Sequence, residues 1–237
     1  MSVIVETPDY IIRSCASLGE GRDFWWPHMQ DLGWNRNSLD AQTHYKVARD
    51  GKDWFLLISK ETSRPEGMII AFTYPNSTGW VGFFIVNRES RGKGWGAALF
   101  RALLASCEQT KTTFIGLDGV EEQMETYRRR GFVQVGRIKL MTRPSLRRSP
   151  LNKTTGYQLE GGLKIIDLKN VDASKLANFD LAHTGFYRPA LWTRDGLFSR
   201  ADVIGFAVVS AWDPEELKGI ILVRCCDHGF RFGPLLA

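Results

Sequence analysis

The 237-residue chain is 43% hydrophobic, 12% aromatic and 24% charged, proportions of a globular protein with a sizeable core rather than of a disordered or fibrous one. Its 31 lysines and arginines against 26 acidic residues leave a formal charge of +5, a modest excess that suits an anionic ligand without demanding nucleic acid. No apolar run approaches the ~20 residues of a membrane-spanning helix, and the opening MSVIVETPDYIIR lacks the basic stretch, apolar core and cleavage site of a secretory leader, so a cytoplasmic location with neither membrane nor nucleic-acid partner is expected.

In chain order, residues 10–13 read as a short strand. Residues 23–32 and 38–49 read as helices flanking the loop Gly33-Trp34-Asn35-Arg36. Three apolar, β-branched and aromatic runs follow at 53–60, 67–74 and 80–86, separated by Pro65-Glu66-Gly67 and Pro75-Asn76-Ser77-Thr78-Gly79, the punctuation of antiparallel hairpins. A glycine-rich loop leads into a helix over 97–107, then a strand at 113–117, a helix at 121–130 and a last strand at 132–141. A meander feeding such a segment predicts an α+β fold, a mixed but mostly antiparallel sheet with helices on both faces.

Residues 146–155 are polar, basic and proline-bearing, as in a linker. Beyond them the opening pattern recurs about 150 residues later: strand at 163–167, helices at 173–183 and 189–197, strands at 203–211, 216–224 and 229–236. The predicted organisation is therefore one unit over 1–145 and a partial second unit over 156–237, the latter lacking a glycine loop and ending on a strand whose open edge invites pairing with another chain, as in a homodimer, or with the first unit's splayed sheet. Cys15, Cys107, Cys225 and Cys226 are scattered without ligand spacing, so reduced thiols and no metal site are expected.

The run Arg91-Gly92-Lys93-Gly94-Trp95-Gly96-Ala97 carries the chemistry. Between a strand and a helix, it aims several free backbone N–H groups and the positive helix end at one spot, a seat for phosphate. It is neither the dinucleotide fingerprint nor a P-loop, because the glycines run G-x-G-x-G and no Lys-Ser or Lys-Thr follows. A tight turn requiring glycine is the plainer alternative.

Arg-x-x-Gly-x-Gly at this place resembles the coenzyme A pyrophosphate loop of the GNAT N-acetyltransferases. About 30 residues on, Tyr127-Arg128-Arg129-Arg130-Gly131-Phe132 is similar to that superfamily's Tyr-x-x-x-Gly-Phe. The stretch 115–120, with Gly33-Trp34-Asn35 and Gly233-Pro234-Leu235, looks similar to the tandem-domain YitH-type branch. The resemblance implies acetyl-CoA as the cofactor, with transfer to a small-molecule or peptide primary amine through a ternary complex. By the same resemblance, Arg91, Gly92, Lys93, Gly94, Trp95, Gly96 and Ala97 hold the pyrophosphate and Arg130 assists. Phe84, Ile85 and Val86 line the splayed strand that takes the pantetheine arm, and Tyr127 is the general acid.

A phenol, with an ordinary pKa near 10, is protonated at neutral pH and matched to a departing thiol; packing on an amphipathic helix is its other reading. The superfamily often has Asn seven residues before this tyrosine, where Val120 stands here. No base is obvious; Asp118 is the first candidate, with Glu89, Asp40 and His44 behind it. Trp34, Asn35, Phe72 and Phe83 are candidate acceptor-site residues. An acyl-CoA-binding or sensing protein without catalysis is the alternative reading.

Overall fold

The computed structural model describes residues 3–144, 161–213 and 215–237. Six strands, β1 (Val3–Glu6), β2 (Tyr10–Ser14), β3 (Trp54–Ser59), β4 (Pro65–Thr73), β5 (Thr78–Val86) and β6 (Phe114–Leu117), lie side by side in that order. Neighbours are antiparallel except β5 and β6, because helix α3 (Trp95–Gln109) between them returns the chain to run in the same direction. The edge strand β1 is an element that the sequence reading did not anticipate.

Both faces of this sheet are covered. Phe55, Leu57, Ile69 and Ala71 turn towards Leu99 and Leu103 of α3. Their neighbours Trp54, Leu56, Met68 and Ile70 turn the other way, towards Trp25 and Met29 of α1 (Leu18–Asp31) and Ala41 of α2 (Asp40–Val47). Strands buried on both sides need apolar side chains at every position, so β3 reads as a continuous run rather than an alternating one. Helix α1 starts earlier than its apolar pattern suggests, since Ser17 caps it by accepting from the Glu20 amide at 3.1 Å.

A second sheet, ordered β10 (Phe230–Leu236), β9 (Leu217–Cys225), β8 (Val203–Ser210), β7 (Leu163–Asp167), is antiparallel throughout. With α5 (Ala173–Thr184) it repeats the order strand, helical segment, three-strand meander of the first sheet. Among the described residues only one face of this sheet is packed. Leu176, Ala177 and Trp192 cover Val203, Ala207, Ile220 and Leu222, whereas Ile165, Ile204, Phe206, Phe232 and Leu235 remain between 44% and 69% exposed.

Three expectations fail in whole or in part. Residues 132–144 form no strand, and Val133, Val135, Ile138, Leu140 and Met141 stand largely in solvent. Strand propensity measures fitness for a pleated, half-buried surface, and pairing needs a distant edge that local pattern does not specify. The predicted helix at 189–197 is a 3₁₀ turn (Pro189–Trp192) followed by a π turn (Arg194–Phe198). Extended Thr193 interrupts it and caps the second turn through its hydroxyl. A side chain at Gly196 would lie 2.3 Å from the Ala190 carbonyl oxygen, so the chain closes too tightly there for an α-helix. The helix expected at 121–130 is likewise divided into a 3₁₀ turn (Glu121–Gln123) and α4 (Met124–Arg128). The expected linker at 146–155 lies outside the described residues.

The two sheets are joined by a buried ionic network. Arg200, 2% exposed, donates to Asp40 on α2 at 2.7 Å, to both oxygens of Asp202 at 2.6 and 3.0 Å, and to the Thr43 hydroxyl at 2.8 Å. Thr43 in turn donates to the Gly196 carbonyl at 2.6 Å. Elsewhere Asn76, at the tip between β4 and β5, donates to the Gly185 carbonyl at 2.9 Å, and Phe186 meets Trp80 edge-on at 5.4 Å. Removing one member of a buried ion network strands the rest without water. Arg200→Met is accordingly expected to lower unfolding free energy by about 3–5 kcal/mol in urea titrations; a loss under about 1 kcal/mol would mean the pair behaves as a surface one.

Candidate active site

The glycine loop leaves β5 through a 3₁₀ turn (Arg88–Ser90) and enters α3 at Gly94. Gly92 and Gly94 hold φ of 80° and 78°, a left-handed backbone that other residues adopt only with strain. The loop is fastened from behind: Asn87 and Ser90 donate to the Glu66 carboxylate at 2.9 and 3.0 Å, and Arg91 Nε donates to the Val86 carbonyl at 3.1 Å. No acidic residue occupies the first turn of α3 and no side chain caps it. Among the described residues the amides of 92–97 have no hydrogen-bond partner. Six donors at the positive end of a 15-residue helix make an anion seat. Gly96 lets α3 approach the strand, since a Cβ there would sit 3.2 Å from the Phe84 ring.

Beside the seat the sheet splits. Parallel pairing of β5 with β6 runs from Thr78–Phe114 to Val81–Leu117 and stops, while β5 continues to Val86. The β4–β5 register shifts between Met68–Ile85 and Ile70–Gly82, so Phe83 and Phe84 form a bulge, with Phe83 at φ 48°. Phe84, Ile85 and Val86 thus border a wedge between the diverging strands.

Tyr127 on α4 is half-buried, packed against the α3 side of the core and 6.3 Å from the Phe132 ring. Burial raises its pKa, with Arg130 opposing, so it remains a phenol at neutral pH; its hydroxyl has no hydrogen-bond partner among the described residues. Arg130 is held in place: its guanidinium lies 5.0 and 5.8 Å from the Phe100 and Phe84 rings and donates to the Thr126 carbonyl at 2.8 Å. Asp118 follows β6, on the opposite arm of the wedge. Its pKa is raised chiefly by burial, against the pull of Trp80 and Arg36, the direction that makes a carboxylate a better base. Of the other base candidates, Glu89 is exposed and Asp40 is engaged with Arg200. His44 is pushed down to about 3, mainly by burial, and is neutral.

The four acceptor candidates separate. Phe83 is the hub of an aromatic cluster, its ring 4.7 Å from His44, 5.5 Å from Trp25 and 6.5 Å from Trp34. Trp34 forms the exposed rim, whereas Phe72 is buried behind His44 at 5.9 Å. Asn35 is occupied, donating to the His228 carbonyl at 2.6 Å and accepting from the His228 amide at 3.0 Å. It tethers the second sheet, a role that nothing near position 35 signals. Sequence reasoning gave no role to Arg36, whose neighbours are distant in sequence. A shallow hollow of about 420 Å³ lined by Arg22, Asp23, Trp26, Pro27 and Ser38 lies outside the wedge, on the α1 side.

The family model described as Acetyltransferase (GNAT) family matches residues 20–132. Holothin acyltransferase of Pseudoalteromonas sp. (strain SANK 73390) is 26% identical over 204 residues, which cover 85% of this chain and 61% of that protein; the chain thus spans under two thirds of that relative's length. A candidate acetyltransferase from Pyrococcus horikoshii superposes with a TM-score of 0.65 at 17% identity, covering 100% of this chain and 74% of that one, a likeness of fold.

His44 gives this site a pH signature. Its folded pKa lies below the ordinary histidine value, so the stability it contributes is complete above about pH 6.5 and declines as pH falls towards 3, at about 1.4 kcal/mol per pH unit. Urea midpoints measured from pH 7 to 4 are expected to fall less steeply in His44→Phe than in the native chain.

Proposed function

Residues 20–132 are a GNAT-family acetyltransferase domain, and on that premise we propose that this acyltransferase carries an acetyl group from acetyl-CoA directly to the primary amine of a small molecule or peptide. The observation that carries the proposal is the row of amides at 92–97, unpartnered among the described residues, opening α3 beside the half of β5 that β6 does not pair. GNAT enzymes generally use acetyl-CoA or another acyl-CoA, and a pyrophosphate fits this seat: glycine keeps space open at 92 and 94, where an added Cβ meets nothing within 4 Å. Arg91 and Lys93 add charge at the rim. Bound there, acetyl-CoA supplies an activated carbonyl and a thiolate leaving group.

The remaining work belongs to the chain. Residues 84–86 hold the arm along the wedge by backbone contacts, and Trp34 with Phe83 positions the acceptor's body. As the amine nitrogen bonds to the carbonyl carbon and the carbon–sulfur bond breaks, Tyr127 delivers its proton to sulfur. Asp118 removes the proton from nitrogen. A relay through an acyl-cysteine is disfavoured because burial pushes the Cys15 and Cys107 thiols up to about 12 and 11, leaving little thiolate to attack. We further propose that residues 156–237 are a partial GNAT-like domain that walls the acceptor side.

Calorimetric titration with CoA tests the cofactor. Gly94→Glu should weaken binding by more than about tenfold, because a carboxylate opposes the pyrophosphate in the seat. Gly94→Ala shares the backbone strain without the charge and should lose less; equal losses would reduce the effect to loop geometry. Tyr127→Phe is expected to lower kcat by about a hundredfold with CoA affinity retained. Unchanged turnover would make Tyr127 a packing residue, and no turnover by the native chain on any amine would favour a CoA-binding protein.

A further inference from the structure

At the acceptor side of the wedge, positive charge accumulates without matching negative charge. Arg36 lies with its guanidinium 5.5 Å from the centre of the Phe83 ring, at the bulge where the strands part. Among the described residues no carboxylate comes within ion-pairing distance of Arg36 or of Arg231 on β10. Arg224 on β9 reaches Asp40 only at 3.8 Å, and Asp40 already binds Arg200 at 2.7 Å. Burial first, then the field of Arg231, with Asp40 opposing and Arg224 adding to the shift, brings Arg36 down to about 10, which places the three guanidiniums in one another's field. Asp118 adds a single further carboxylate on the far arm.

Two donors of this cluster are unused. The Nε atoms of Arg36 and Arg224 are buried and have no hydrogen-bond partner among the described residues, although buried cationic donors are ordinarily paired. Each side chain is nonetheless only partly covered as a whole, so part of it is open to the outside although Nε itself is not. Guanidinium forks match planar carboxylates in geometry as well as charge. The cluster also requires both sheets: Arg36 comes from the loop after α1, and its backbone carbonyl accepts from the Asp227 amide at 3.0 Å, beside the Asn35–His228 tether.

We propose that Arg36, Arg224 and Arg231 form a carboxylate-binding subsite for the acceptor, so that the amine acylated here belongs to an amino acid or a short peptide with a free carboxylate. This rests on the amine-acylation reading above and adds the acceptor's second charge: the carboxylate lies on the arginines, the body against Trp34 and Phe83, and the amine points into the wedge.

The test is calorimetry on the full chain saturated with CoA, using product-shaped probes in matched pairs: N-acetylglycine, N-acetylleucine and N-acetylphenylalanine, each against its primary amide. The acids should bind at least about tenfold more tightly than the amides. Arg36→Gln and Arg231→Gln, which break no ion pair, should each remove about tenfold of that affinity for the acids and leave the amides unchanged, with melting temperatures near native. Equal binding of acid and amide, equal loss for both in the variants, or binding of neither member of any pair overturns the subsite. So does a loss of CoA affinity in the variants, which would give the arginines to the cofactor. Failure of the acyl-transfer reading has a separate mark, absence of CoA binding and of amine turnover in the native chain, and acid-selective binding is measured without turnover.

Discussion

Among the described residues the fifth strand has no partner on one side beyond Val81, and the elements around it are arranged to keep it that way. Unpaired backbone inside a sheet is ordinarily satisfied by another strand. Here the bulge at Phe83 and Phe84 turns β5 aside before β6 can follow. The β5 arm of the resulting wedge is then held on both faces. Helix α3 presses on one face through the space above Gly96, and the aromatic cluster of Trp25, His44 and Phe83 fills the other. The tip of the β4–β5 hairpin is pinned by Asn76 to the loop after α5. An opening held so firmly can receive an extended ligand by supplying strand-like hydrogen bonds without first having to deform.

The second sheet is attached by polar contacts more than by apolar ones. Arg200 spends its donors on Asp40, Asp202 and Thr43 in a nearly dry setting. Such a network contributes little net stability compared with a hydrophobic substitute, but it tolerates almost no change in relative position. That intolerance matters because Arg224 and Arg231 stand near Arg36 only while the two sheets keep their places.

What the sequence disclosed follows the range of the interactions concerned. The glycine loop was legible because its chemistry is local: positive φ at Gly92 and Gly94 and a helix starting at once. The strands β3 to β5 were legible because burial on both faces writes itself as continuous apolar runs. The segment 132–141 misled because its β-branched residues advertise a strand while pairing is decided elsewhere. Thr193 and Gly196 broke a helix that apolar spacing alone suggested. Asn35 and the three arginines could not have been placed, since Asn35 meets position 228 and Arg36 meets positions 224 and 231 only after the two sheets associate.

The one-sided packing of the second sheet affects how the chain responds to heat. Apolar surface that is wet before unfolding as well as after it adds nothing to the heat-capacity increment, and Ile204, Phe206, Phe232 and Leu235 are largely such surface. The curvature that the second sheet adds to the stability curve therefore comes from its packed face, where Leu176, Trp192, Val203 and Leu222 are buried, and little of it from the outer one.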